Sequence, residues 1–128
     1  MDEGTTAVAP RIRVEGDAGV VVLVLAGEHD VSTRHRVREV IDDALAARLP
    51  VVVDLRDADF VDSVIAATLL EARKKAKREN IGLGFVLADA HENAVRRMFE
   101  LSRLTSVFAI YPSVEAAVAA VRDGFSGS

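Results

Sequence analysis

Two spacings of hydrophobic residues succeed one another along the chain and predict strands and helices. Residues 11–15, RIRVE, alternate between polar and apolar side chains, which predicts a half-buried strand. Residues 20–26 form a dense valine and leucine run that predicts a buried strand. The glycines and the aspartate of residues 16–19 are typical of a turn, so the two strands should form an antiparallel hairpin.

The rest of the chain alternates between helical and strand patterns. Apolar residues three and four apart predict amphipathic helices, and the short apolar runs between them predict buried strands. The predicted helices are one capped by Ser32 or Thr33, one over residues 62–78, one over residues 91–104 and one capped by Ser113. The predicted strands are residues 51–55, 81–88 and 107–111, and residues 56–60 are predicted to be a polar connection.

This order, β-β-α-β-α-β-α-β-α, predicts a single α/β domain over residues 11–122. Alternating strands and helices form a mostly parallel sheet, and the leading hairpin adds an antiparallel edge strand. We therefore expect a mixed sheet of about five strands with about four helices. Residues 1–10 and 123–128 lack such periodicity and are predicted to be flexible. The length of 128 residues suits one domain.

Composition narrows the classes of function. The net charge is −4 with a pI near 5.3, whereas nucleic-acid binding favours a basic face. The chain has no cysteine, which excludes disulfides and thiolate metal sites. No apolar run approaches the ~20 residues that span a bilayer, and the acidic start is unlike a secretory signal. We expect a cytoplasmic protein without membrane or nucleic-acid contacts.

The residue types that carry catalysis or bind metals are not arranged in a recognisable site. His29, His35 and His91 lack the spacing of a helical zinc pair, and we expect them to be exposed or at helix ends. Residues 82–84 lack the third glycine of a dinucleotide-binding loop. Ser63 lacks the flanking glycines of a nucleophile elbow. We therefore predict that the chain is not an enzyme and has no metal or cofactor.

Four aspartates surround the end of the third predicted strand: Asp54, Asp57, Asp59 and Asp62. Their spacing does not fit a calcium loop, which needs a glycine and a distal glutamate. We expect them to be solvated loop carboxylates.

The segment VVVDLRDADFVDS, residues 51–63, resembles the signature of STAS domains, and closely that of bacterial anti-sigma factor antagonists. In that family a buried strand ends in Asp-Leu, a short loop carries an apolar pair, and an Asp-Ser pair begins a helix. The matching residues here are Asp54-Leu55, Phe60-Val61 and Asp62-Ser63.

Three further segments are similar to the same family. Residues 25–30, LAGEHD, look like its Leu-x-Gly-Glu-Leu-Asp turn, with His29 in place of the usual leucine. Residues 97–104 resemble the end of its third helix, with Arg103 where a glycine is usual. Residues 107–121 resemble its closing strand and helix, so the resemblance extends over residues 11–121.

The resemblance implies a regulator of transcription that works by partner switching, as in bacterial stress responses. In the family, an anti-sigma factor that is a serine kinase phosphorylates the serine after the aspartate. The unphosphorylated antagonist binds that kinase and frees the sigma factor, and a serine phosphatase resets the switch. Carried over, the phosphoacceptor is Ser63. The implied partner-binding residues are Asp30, Phe60, Asp62, Ser63, Val64 and Ile65.

Two positions after Ser63 depart from the family pattern, which has Ser or Thr and then Gly. Val64 and Ile65 stand there. Ile65 could add apolar contact area for a partner, or it could block a kinase that needs close approach to the backbone. The second alternative favours a STAS adaptor or scaffold that is never phosphorylated. A STAS domain that senses a nucleotide or small molecule at its strand ends is a third hypothesis.

Overall fold

The computed structural model describes residues 9–123, and within that range the predicted strands and helices occur in the predicted order, with one additional strand after the third. The strands are β1 (Arg11–Asp17), β2 (Val20–His29), β3 (Val51–Asp54), β4 (Ala58–Val61), β5 (Leu83–Val86) and β6 (Ile110–Tyr111). The helices are α1 (Val31–Ala46), α2 (Ser63–Glu79), α3 (Ala94–Leu101) and α4 (Val114–Arg122). The predicted flexible segments fall almost wholly outside the described residues and stay predictions.

The strands of the sheet are ordered β1-β2-β3-β5-β6. β4 lies outside this order and pairs with the carboxyl end of β2, at residues 27–29. β1 pairs antiparallel with β2, and the remaining pairs are parallel. This confirms the mixed, mostly parallel sheet with an antiparallel edge strand. Because parallel strands bring their carboxyl ends to one edge, the loops that follow β2, β3 and β5 meet there.

Helices cover both faces of the sheet. α1, α2 and α3 pack on one face, where Leu23, Val53 and Phe85 form part of the larger core. α4 covers the other face, above Val22 and Val52. Adjacent strand residues point to opposite faces, so neighbours in sequence such as Val22 and Leu23 serve different cores.

Residues 56–60 are not simply the polar connection that was predicted. Residues 58–61 form β4, a sixth strand, which pairs in parallel with the carboxyl end of β2. β2 continues to His29, beyond its predicted end at residue 26, with an irregularity between Gly27 and Glu28. A strand of four residues, two of them exposed and adjacent, carries no readable alternation.

Several element ends also differ from the prediction. α1 is capped by Asp30, not by Ser32 or Thr33, while the predicted Ser113 cap of α4 is confirmed. α3 begins only at Ala94 and ends at Leu101, and a single 3-10 turn, Leu104–Ser106, follows it. Arg103 adopts the left-handed conformation, with φ of 60°, at the position where the pattern that residues 97–104 resemble has glycine.

Gly82 and Gly84 allow neighbouring groups to approach β5 closely. A Cβ atom at residue 82 would lie 2.7 Å from the carbonyl oxygen of Val121 in α4. A Cβ atom at residue 84 would lie 2.8 Å from the Tyr111 ring. Both glycines therefore lie where neighbouring groups pack closely against the backbone.

Gly82→Ala should lower the free energy of unfolding by about 1–3 kcal/mol, because the added methyl group meets backbone that moves only with α4. Gly16→Ala is the matched control, since nothing lies within 4 Å of a Cβ atom there. We expect that control to leave stability unchanged or slightly raised. Urea denaturation measures both, and equal losses would contradict the close-packing account.

Candidate docking surface

Helices α1 and α2 begin side by side at one edge of the sheet. The last residue pair between the parallel strands β2 and β4 is His29 with Val61. The N–H of Asp62 donates to the carbonyl oxygen of His29 over 3.1 Å. Asp30 and Asp62 directly follow that pair, and each caps the helix that begins after it. The two helix starts are therefore held at the same level.

Ser63 is the first helical residue of α2, and Asp62 supplies the cap. An Asp62 carboxylate oxygen accepts a hydrogen bond from the N–H of Ile65 at 2.9 Å. Among the described residues, the N–H groups of Ser63 and Val64 have no acceptor, as is usual for a first helical turn. The Ser63 side chain is exposed and takes no part in capping. An anion added to this hydroxyl would find unpaired amides beside it.

The two residues after Ser63 lie in different environments. Val64 is half-buried, whereas Ile65 is fully buried in the larger core. The expectation that Ile65 adds apolar contact area for a partner is wrong, because its side chain packs inwards. The same burial means that this side chain does not obstruct approach to Ser63 from solvent.

Asp30 organises the first turn of α1. One of its carboxylate oxygens accepts hydrogen bonds from the N–H of Ser32 at 2.9 Å and from the Ser32 hydroxyl at 2.6 Å. The hydroxyl bond, followed by the amide bond, holds the pKa of the Asp30 carboxyl below its ordinary value. Asp30 is exposed and ionised at neutral pH, so it presents a negative charge to any partner.

Two large apolar side chains are exposed at the same edge. Phe60 on β4 is 47% exposed, and Val31, the first residue of α1, is 64% exposed. Exposed aromatic and aliphatic groups with a polar surround are typical of protein contact sites. We define the docking surface as Asp30, Val31, Phe60, Asp62, Ser63 and Val64. It brings together the predicted partner-binding residues except Ile65, and it adds Val31.

His29 lies behind the docking surface and is fully buried. One ring nitrogen, Nε2, is 2.9 Å from the carbonyl oxygen of Ala26, and the other, Nδ1, is 3.0 Å from the Thr33 hydroxyl oxygen. The expectation of exposed or helix-end histidines is therefore wrong for His29. It fits His35 and His91, which are exposed.

Asp54 is also not the solvated carboxylate that was expected. It is buried at the end of β3, and the Arg56 guanidinium donates to both of its oxygens at 2.9 Å. The N–H of Arg56 adds a third bond at 3.1 Å. The side-chain bond to Asp54 raises the pKa of Arg56. This bidentate pair fixes the turn that leads into β4 and so towards Phe60.

Arg56→Ala should lower the free energy of unfolding by about 1–3 kcal/mol, because the Asp54 carboxylate is left buried without its cation. The Arg56 side chain is itself 47% exposed, which places the loss towards the lower end of that range. Arg36→Ala removes an exposed pair with Glu39 and should cost less than about 0.5 kcal/mol. If urea denaturation gave equal losses for Arg56→Ala and Arg36→Ala, the pair of Arg56 with Asp54 would contribute no more to stability than an exposed ion pair.

Within residues 9–123, no three His, Asp or Glu side chains gather closely enough to hold a metal ion. None of the helices in the same range combines the length and the apolar character needed to cross a bilayer. What the edge of the sheet offers instead is an exposed hydroxyl, two capping carboxylates and two exposed apolar side chains. These groups suit contact with another protein.

Known proteins share this sequence pattern and this fold. Residues 11–117 match the family model of the STAS domain. A Mycobacterium tuberculosis protein named as an anti-anti-sigma factor is 28% identical over 111 residues, which cover 84% of this chain and 73% of that protein. Such antagonists are generally regulatory proteins rather than enzymes.

Solved structures of known proteins are similar to this fold. The crystal structure of an anti-sigma factor antagonist from Mycobacterium paratuberculosis is 32% identical, with a TM-score of 0.77 over 90% of this chain and 96% of that one. The anti-sigma factor antagonist SpoIIAA in its unphosphorylated form is 20% identical, with a TM-score of 0.71 over 88% and 97% of the two chains. SpoIIAA of Bacillus in its phosphorylated form is 18% identical, with a TM-score of 0.65 over 85% and 97%. The family model matches most of this chain, residues 11–117, which shows that the chain belongs to the STAS domain family.

Proposed function

We propose that this chain is an anti-sigma factor antagonist that binds an anti-sigma factor serine kinase in the cytoplasm and so releases a sigma factor. Binding uses the docking surface, and phosphorylation of Ser63 by the kinase ends it. The observation that carries the proposal is the position of Ser63. Its hydroxyl is exposed at the start of α2, is not needed as a cap, and lies at the same edge as Asp30 and Phe60.

The free protein has the means to accept a phosphate at this position. In the transfer, a bond forms between the Ser63 Oγ atom and the γ-phosphorus of ATP, and the bond from that phosphorus to the β–γ bridging oxygen breaks. ADP leaves, and the hydroxyl proton passes to a base of the kinase. The unpaired N–H groups of Ser63 and Val64 and the positive end of the helix dipole favour the new negative charge. SpoIIAA, which has the same fold, is known in both a phosphorylated and an unphosphorylated form.

The same phosphate opposes the binding of a partner. The modification adds about −1.5 to −2 charges to a surface that already carries Asp30 and Asp62. A partner that approaches closely must remove water from this charge and must tolerate it next to two carboxylates. Repulsion and desolvation therefore act against the complex, while the domain stays folded. A serine phosphatase that removes the phosphate would restore binding.

Phosphorylation of Ser63 is tested with purified chain, kinase and ATP. We expect a single phosphate on the wild-type chain, located at Ser63 by fragment mass spectrometry, and none on Ser63→Ala. Ser106→Ala is the matched control, because Ser106 is also an exposed serine but lies on the 3-10 turn after α3, outside the docking surface. It should be phosphorylated like the wild type. Phosphorylation of Ser63→Ala at the wild-type rate would contradict the assignment.

A further inference from the structure

Among the described residues, His29 is the one fully buried histidine, and both ring nitrogens have polar neighbours. Nε2 lies 2.9 Å from the carbonyl oxygen of Ala26, and a carbonyl oxygen only accepts hydrogen bonds. Nε2 therefore carries a proton and donates. In the neutral ring Nδ1 is then an acceptor, and its neighbour at 3.0 Å is the hydroxyl of Thr33.

The Thr33 hydroxyl has one proton and two acceptors within reach. Besides Nδ1 of His29, the carbonyl oxygen of Asp30 lies 3.2 Å away. That carbonyl already accepts the N–H of Thr33 at 3.0 Å, whereas Nδ1 has no other donor in the described part of the chain. Because buried polar atoms are normally hydrogen-bonded, the hydroxyl serves the ring. Hydrogen bonds thus run from Ala26 on β2 through His29 to the first turn of α1.

The backbone of His29 reaches the other helix start. Its carbonyl oxygen accepts the N–H of Asp62 at 3.1 Å, and the residue is paired with Val61 of β4. One buried residue therefore holds α1 through its ring and α2 through its main chain. An aliphatic side chain could fill the same space, but it would leave the Thr33 hydroxyl without its bond to β2.

We propose that His29 is a positioning residue for partner docking. It locks the first turn of α1 against the start of α2, so that Asp30 and Val31 meet a partner together with Phe60 and Ser63. This inference rests on the proposed function. Contact residues held in their binding geometry before association lose less conformational entropy when the partner arrives, and the complex is correspondingly tighter.

The test compares binding and folding in His29→Leu, Thr33→Val, Thr33→Ser and the double variant His29→Leu/Thr33→Val. Binding to the purified anti-sigma factor kinase is measured by calorimetry, and folding by urea denaturation. We expect His29→Leu and Thr33→Val each to weaken binding about 5- to 10-fold. The double variant should bind as tightly as the more strongly affected single variant, because both substitutions remove the same hydrogen bond. Thr33→Ser keeps the hydroxyl and should bind like the wild type. The loss of binding affinity across these variants should not correlate with their loss of unfolding free energy.

Nitrogen NMR of the imidazole gives a second readout that does not require a partner. We expect Nε2 to carry a proton and Nδ1 to accept a hydrogen bond, with a Nδ1 signal that shifts in Thr33→Val and is unchanged in Thr33→Ser. A ring protonated at Nδ1 instead would overturn the inference, as would wild-type binding by His29→Leu and Thr33→Val.

Failure of the inference and failure of the proposed function give different results. If Phe60→Ala weakens binding while His29→Leu and Thr33→Val do not, the docking surface stands and the positioning role of His29 is wrong. If the wild-type chain binds none of the anti-sigma factor kinases of its source organism, the proposed function is wrong and the positioning role fails with it.

Discussion

Ser63→Glu is expected to weaken binding to the anti-sigma factor kinase about 100-fold, which corresponds to about 2.7 kcal/mol. The glutamate places a carboxylate where the phosphate would stand, on the surface that already carries the two capping aspartates Asp30 and Asp62. Burying that charge against a partner costs desolvation and repulsion, so the dissociation rate should rise. In the free protein the carboxylate lies in the first turn of α2, where the helix dipole favours it, so stability should be unchanged or slightly higher.

Two variants separate charge from size and from location. Ser63→Gln has the shape of glutamate without the charge, and we expect it to lose much less affinity. Ala119→Glu adds the same charge to an exposed position on α4, on the opposite face of the sheet, and should bind like the wild type. Tight binding by Ser63→Glu, indifferent to ATP as well, would instead identify a fixed adaptor.

Phe60→Ala is expected to weaken the same complex about 30-fold, or about 2 kcal/mol. Phe60 is the only exposed aromatic residue among the large exposed apolar side chains of the described chain. Aromatic residues near the centre of an interface commonly dominate its energy, because a partner removes a large apolar area from water there. β4 holds Phe60 beside the two helix starts, so a partner that covers Ser63 also covers this ring.

Val14→Ala provides the comparison for Phe60→Ala. Val14 on β1 is also 47% exposed, but its cross-strand neighbour is Leu23, well before the carboxyl end of β2. We expect Val14→Ala to leave the dissociation constant unchanged and Phe60→Leu to retain most of the affinity. If calorimetry shows that Val14→Ala costs as much as Phe60→Ala, the contact is not localised at the docking surface.

The elements with long, regular patterns could be predicted from the sequence. Helix α2 begins where the Asp-Ser pair predicts, and Asn80, directly after its last residue, has the left-handed conformation with φ of 60° that commonly ends a helix. The hairpin and the central strand could be predicted as well, because β1 begins with alternating polar and apolar residues and β2 and β3 are rich in valine. The position of Ser63 at the surface follows from this reading of α2.

The parts that could not be predicted depend on contacts between distant segments. β4 exists because residues 58–61 pair with the end of β2, a tertiary contact without a local pattern. The same pairing extends β2 and buries His29, whose sequence neighbours Glu28 and Asp30 indicate a polar loop. Ile65 looked like an addition to the surface because it follows Ser63 directly, yet at the third helical position it turns inwards. The sequence gives no signal for Val31 as a contact residue, because it lies outside the buried stripe of α1.

The wild-type chain can be prepared with Ser63 phosphorylated and with Ser63 unmodified, and the two forms can be compared directly. Calorimetry with the kinase and thermal unfolding of each form alone are the measurements. We predict that the phosphorylated chain unfolds at the temperature of the unmodified chain but loses nearly all affinity for the kinase. Equal affinity of the two forms, or a phosphorylated form that fails to fold, would contradict a switch that acts on the interface alone.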